Sequence, residues 1–127
     1  MTSLERAVVA QAPPGAVVIG ASVSPDGRYG ATLIYLQSAN YLMDDVFACN
    51  GDRWELYSAG SGGGLSWSSL GDKSGVLRYG DEAPEGARVA RIEYEGRQFR
   101  VPVRFRHFLF VAWDTDFAED PRLVAFE

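Results

Sequence analysis

Short runs that alternate apolar and polar residues, each closed by tight-turn chemistry, recur along nearly the whole chain of 127 residues. A strand turns successive side chains to opposite faces, so such runs read as half-buried strands and the turns between them as antiparallel connections. Val17–Ser24 places Val17, Ile19, Ala21 and Val23 on one face and Val18, Gly20, Ser22 and Ser24 on the other. "SPDGR" follows, with Pro25 suited to the second position of a turn and Gly27 able to supply a positive φ. Tyr29–Gln37 becomes apolar on both faces, as a central strand does. Tyr41–Cys49 and Arg53–Ser58 flank "NGD", a strong hairpin signal.

The same reading predicts strands at Gly75–Gly80, Arg88–Glu95, Gln98–Val103, His107–Trp113 and Arg122–Phe126. "HFLFVAW" is the most apolar of these, and alternation groups Leu109, Val111 and Trp113 on one face, which makes Trp113 a core candidate. About nine short strands at intervals of roughly 8–12 residues point to an all-β fold, an antiparallel β-sandwich of immunoglobulin-like kind. Ser3–Ala10 is the one helix candidate, because Thr2 and Glu5 have capping-box spacing and Pro13-Pro14 ends the run; an edge strand is the alternative. The length suits one domain spanning 1–127.

Several segments taken together are "SVSPDGRYGA", "GDRWELY", the glycine-rich stretch ending in Trp67, "GVLRYGDEAPEGA", "YEGRQFRVPV" and "FVAWD". The combination resembles small all-β actinobacterial proteins of uncharacterised function. The resemblance covers most of the chain, but its marks are turns and core aromatics. It implies a sandwich fold and implies no activity and no functional residues.

The hairpin "RIEYEGRQFRVP" admits two registers. A Glu95-Gly96 loop sets Arg91 opposite Arg100, a destabilising like-charge pair, and needs a positive φ at Glu95. A Gly96-Arg97 loop sets Glu93 opposite Arg100 and gives glycine the first position of a type II′ turn. Turn chemistry and charge both favour the second register, which leaves Arg104 and Arg106 as the freer anion-binding candidates.

Chemistry-bearing motifs are sparse. "GSGGGLSWSS" at 60–69 is read as a mobile surface loop with at most a recognition role, centred on Trp67. It is no phosphate cradle: Lys73 and Ser74 follow Asp72 rather than glycine, and a carboxylate there repels phosphate. No serine-hydrolase motif occurs. His107 is the single histidine and reads as structural or surface; Cys49 is the single cysteine, reads as a buried packing residue with a reactive thiol as the alternative, and permits no internal disulfide. The acidic run "DTDFAED" offers Asp114, Asp116, Glu119 and Asp120 as hard oxygen ligands for a cation, against a plain reading as a solvated loop. Asp44 and Asp45 are adjacent on a strand, so at least one of them is expected to face solvent.

The net charge of −5 argues against a dedicated nucleic-acid binder, which carries a basic excess to displace counterions. Charge is nonetheless uneven. Residues 88–106 net +4, from Arg88, Arg91, Arg97, Arg100, Arg104 and Arg106 against Glu93 and Glu95, and the remainder nets −9. This basic strip reads first as cross-strand pairing with Glu93 and Glu95 plus edge arginines that discourage aggregation, and second as a site for an anion or an acidic partner. No apolar run approaches the about 20 residues that span a bilayer, and no signal-peptide pattern opens the chain, so a cytoplasmic protein without membrane partners is expected. No cofactor is implied. The leading expectation is a non-enzymatic module that binds another protein, with Trp67, Arg104 and Arg106 as contact residues. A toxin-neutralising immunity protein is one version of it, by analogy with other small acidic proteins. The rivals are a carbohydrate-binding module stacking Trp54, Trp67 or Trp113 on sugar rings, and an enzyme or cation-binding protein using the acidic loop 114–120.

Overall fold

Thr2 opens the fold as a helix N-cap. Its hydroxyl oxygen accepts from the Glu5 backbone N–H at 3.2 Å, and α1 (Ser3–Gln11) follows. The helix buries Leu4 and Val8, one turn apart on one face, and the chain returns to extended backbone at Ala12 before the two prolines. The computed structural model describes residues 2–71 and 74–127. Asp72 and Lys73, whose order argues against a phosphate loop, lie outside the described residues.

The rest is predominantly β, in three antiparallel sheets. The strands are β1 (Ala16–Val23), β2 (Tyr29–Leu36), β3 (Tyr41–Asn50), β4 (Arg53–Ser61), β5 (Gly64–Leu70), β6 (Ser74–Glu82), β7 (Val89–Tyr94), β8 (Arg97–Pro102), β9 (His107–Thr115) and β10 (Arg122–Phe126). The chain divides into two compact units at Gly63–Gly64.

The first unit is a meander, β1-β2-β3-β4, with α1 on one face. Leu4 and Val8 pack with Ile34 and Phe47, and Met43 and Trp54 flank them. Gly30 lets the helix approach: a Cβ there would stand 2.6 Å from Leu4 Cδ2. The β1–β2 turn is held by its own side chains. Asp26 accepts from the Ser24 hydroxyl at 2.7 Å and from the Arg28 N–H at 3.0 Å, while Gly27 takes φ 76°. At the β3–β4 hairpin Asn50 faces Arg53, and Gly51 carries the positive φ of a type II′ turn.

The second unit holds two three-stranded sheets, β5-β6-β9 and β10-β7-β8. Leu77, Phe108 and Phe110 from one meet Ala90, Ile92 and Tyr94 from the other in a single core. Edge-to-face contacts recur within it, as between Tyr94 and Phe110 at 5.7 Å.

Three expectations are corrected. The stretch at 60–69 is not a loop: Gly60 and Ser61 end β4, and Gly64–Ser69 lie in β5, leaving a bend at Gly62-Gly63. Glycine richness masked the alternation of Leu65, Trp67 and Ser69 with Ser66, Ser68 and Leu70. The β7–β8 hairpin takes the other register. Its loop is Glu95-Gly96, with φ of 51° and 72° as a type I′ turn requires, and Arg91 lies opposite Arg100. The reason is Glu127, whose carboxylate takes the Arg100 guanidinium through two hydrogen bonds, 2.7 and 3.2 Å, with Arg91 Nε at 3.9 Å. Glu93 is drawn instead to Arg122 on β10 at 3.0 Å. Trp113 is only half-buried, because β9 turns Phe108, Phe110 and Ala112 to the core. Of the adjacent pair Asp44 and Asp45, Asp45 is buried and Asp44 is half-buried.

Candidate functional site

Trp67 stands on β5, an edge strand of its sheet. Arg78 on β6 fastens that strand from the opposite face. The residue is 4% exposed, and its guanidinium donates from Nη1 to Ser68 Oγ at 2.9 Å and to the Val76 carbonyl at 3.2 Å. A buried charge held by hydrogen bonds fixes its neighbours, since releasing them would leave it uncompensated. The indole is fixed as well: Nε1–H donates to the Thr115 carbonyl at 3.2 Å, and the ring lies over Gly75.

Thr115 connects this surface to the core. Its hydroxyl shares a 2.7 Å hydrogen bond with the Tyr94 hydroxyl and accepts from the Phe117 N–H at 3.1 Å. Burial pushes the Tyr94 phenol above its usual range, which the Thr115 bond partly opposes. Phe117 is held at φ 61° with its ring centroid 6.4 Å from that of Trp67. Trp67, Phe117 and Leu65 are 38%, 40% and 39% exposed. The result is a pair of rings, Trp67 and Phe117, held in place and open to solvent, with the exposed Leu65 two residues along β5 on the Trp67 face.

The carboxylates expected to hold a cation do not converge. Asp114 accepts from the Ser74 hydroxyl at 3.4 Å, Asp116 from the Ala118 N–H at 3.0 Å, and Glu119 from the Glu95 N–H at 3.1 Å, while Asp120 is exposed. Among the described residues no three His, Cys, Asp or Glu side chains form a metal-holding group. The run "DTDFAED" instead builds a turn that presents Phe117.

The basic strip is mostly engaged within the fold. Arg91 and Arg100 share Glu127, Arg97 lies over the Phe99 ring at 5.7 Å, and Arg106 meets Glu82 at 3.5 Å. Arg104 is exposed. His107 is 6% exposed with Nδ1 2.7 Å from the Phe105 carbonyl, a structural placement. Cys49 is half-buried and its thiol donates to the Gly51 carbonyl at 3.4 Å. Trp54 belongs to the helix-docking cluster, with Nε1–H donating to Ser3 Oγ at 3.4 Å.

In the first unit, a groove of about 180 Å³ lies beside α1. Val8, Ile34, Met43, Phe47 and Leu56 give it apolar walls, and Asp45 adds a carboxylate. Sequence reasoning missed Phe117, Phe105 and Arg78. Phe117 was legible only as an apolar interruption of an acidic run, and Arg78 as the one charge within the predicted strand Gly75–Gly80.

No family model, curated protein or solved structure matches this chain. Among the described residues no helix is long and apolar enough to cross a membrane.

Proposed function

We propose that this chain is a non-enzymatic protein-interaction module whose partner docks on Trp67, Phe117 and Leu65. The observation that carries the reading is the fixing of Trp67 from below while more than a third of it stays open. Interface anchors are typically large aromatic side chains whose geometry is set before binding, because a pre-ordered anchor loses little entropy on association. The position of β5 at a sheet edge adds a row of backbone groups beside the anchor, as strand-addition partners use.

The second unit, two sheets on one core, is read here as a small β-sandwich carrying this surface. An immunity protein that covers a toxin is one concrete form of such a module. The Trp67 and Phe117 rings are inclined by 38°, so they form no flat platform for a sugar ring, and this favours a protein partner over a carbohydrate.

The test uses the whole chain as bait in an extract of the source cells, beside Trp67→Ala and Phe117→Ser, with circular dichroism confirming that all three fold. A protein retained by the parent and lost with both variants is the expected outcome. Equal retention by all three, or saturable binding of a glycan lost with Trp67→Ala, overturns the reading.

A further inference from the structure

We propose that the β8–β9 turn, Arg104–His107, is a second contact surface, built for an acidic protein segment that carries an apolar side chain. It lies at the end of β9 remote from Phe117, about 27 Å away by strand rise, and so does not belong to the Trp67 surface.

The turn is a tight two-residue loop between strands of different sheets, closed by an isolated bridge between Arg104 and His107. Arg104 N–H donates to the His107 carbonyl at 2.8 Å, and His107 N–H to the Arg104 carbonyl at 2.9 Å. Its two central residues, Phe105 and Arg106, hold φ of 50° and 61°, a pairing for which Asn-Gly is the favoured chemistry. A Cβ is penalised in this region, more so for bulky side chains. The conformation persists because the fold clamps both central carbonyls. That of Phe105 meets His107 Nδ1 at 2.7 Å, and that of Arg106 accepts from the Ala83 N–H at 2.7 Å.

Strain maintained in this way calls for a use, and the core does not supply one. Phe105 is 52% exposed and is absent from the core clusters. The guanidinium of Arg104 has no hydrogen-bond or ion-pair partner among the described residues. Among the described residues the Arg106 side chain meets only Glu82, with both side chains more than half exposed. The tip therefore presents an aromatic ring flanked by two arginines, one open and one loosely held by a carboxylate that a partner's carboxylate can replace. Aromatic and arginine side chains are the pair most enriched at interface anchors. The acidic remainder of the chain opposes a long polyanion, so an acidic protein segment fits better than nucleic acid.

The probe is a fluorescein-labelled peptide, Asp-Glu-Asp-Leu-Phe-Asp-Glu-Asp, followed by anisotropy at low salt. Saturable binding is expected, weakened about tenfold by Arg104→Gln and by Phe105→Ala, as for an anchor residue. Trp67→Ala should leave it unchanged, which separates this surface from the first. The double variant Phe105→Asn/Arg106→Gly, whose turn is favourable, should fold and fail to bind. The proposal is overturned by absence of saturable binding, by equal affinity of the turn variants, by equal binding of the peptide with its acids replaced by lysine, or by displacement by single-stranded DNA of the same length.

Discussion

Trp67 occupies the space that a side chain on Gly75 would fill. A Cβ at Gly75 would overlap Cε2 and Cζ2 of the indole and the Ser68 carbonyl oxygen. Gly75→Ala must then displace either the ring or the β5 backbone, and overpacking of this kind costs about 1–3 kcal/mol. In a Trp54→Phe/Trp113→Phe background, fluorescence reports Trp67 alone. A red-shifted emission and a lower urea midpoint are expected; an unchanged spectrum would mean that the indole is not seated over β6.

Arg91 and Arg100, opposed across the β7–β8 hairpin, depend on Glu127. The hydrogen bond from Arg100 holds the Glu127 carboxyl below its ordinary value, with the Arg100 and Arg91 charges adding to the effect. A depressed carboxyl stabilises the fold above its unfolded value, about 4.3, and that contribution is lost as pH falls through the folded value. Glu127→Gln should therefore lower the urea midpoint at neutral pH, and the gap to the parent should close on acidification. Added salt should also shrink it, because the groups are exposed. A gap independent of both pH and salt would assign the loss to packing instead.

Tyr94 gives the opposite sign. Its phenol is raised by burial, so the native state keeps a proton that the unfolded chain loses near pH 10. Stability is fully present below that value and falls as pH rises toward the folded one. Tyr94→Phe should cost about 1 kcal/mol at neutral pH through the lost Thr115 bond, and should flatten the decline between pH 9 and 11. Urea midpoints across that range provide the measurement.

At the helix, Leu4 is 1% exposed and Leu4→Ala should cost about 2–5 kcal/mol. Gly30→Ala should also destabilise, since its new methyl meets the end of Leu4. Combined, the two should cost less than their sum, because the smaller residue at 4 vacates the space needed by the methyl at 30. Strict additivity in chemical denaturation would place the helix elsewhere on the sheet.

What the sequence disclosed follows from which features are local. Thr2 and Glu5, Asp26 and Gly27, and Gly51 all act within a few residues, so the helix start and two turns were readable without tertiary information. The third turn was not, because its register depends on Glu127, 27 residues beyond Arg100. A pairwise charge rule favours Glu93 opposite Arg100 only while the C-terminal strand is left out. β5 was hidden for another reason. Its glycines lower strand propensity, yet Arg78 and Trp67 tie it down through contacts distant in sequence. The exposed aromatics were hardest to see. Phe105 and Phe117 are ordinary letters in the sequence, and only their positive φ and their placement at the two ends of β9 set them apart.

The strain at the β8–β9 turn yields the last prediction. Phe105 and Arg106 both lie in the left-handed region, where a non-glycine residue costs roughly 1–2 kcal/mol. Replacing them by Asn-Gly relieves most of that cost. Three losses oppose the gain. Glycine adds unfolded-state entropy, about 0.4–1 kcal/mol. The exposed Arg106–Glu82 pair contributes between about 0 and 1 kcal/mol. Phe105, more than half exposed, forfeits little burial. The balance favours the variant, so Phe105→Asn/Arg106→Gly should raise stability by roughly 1 kcal/mol, seen as a melting point higher by about 2–5 °C. The clamping bonds reach backbone carbonyls at 105 and 106, from the His107 ring and the Ala83 N–H, and so survive the exchange of side chains. A gain in stability accompanied by loss of peptide binding would show that this turn trades stability for contact. A lower melting point would show instead that Phe105 packs against the fold, and would remove the reason to regard it as a contact residue.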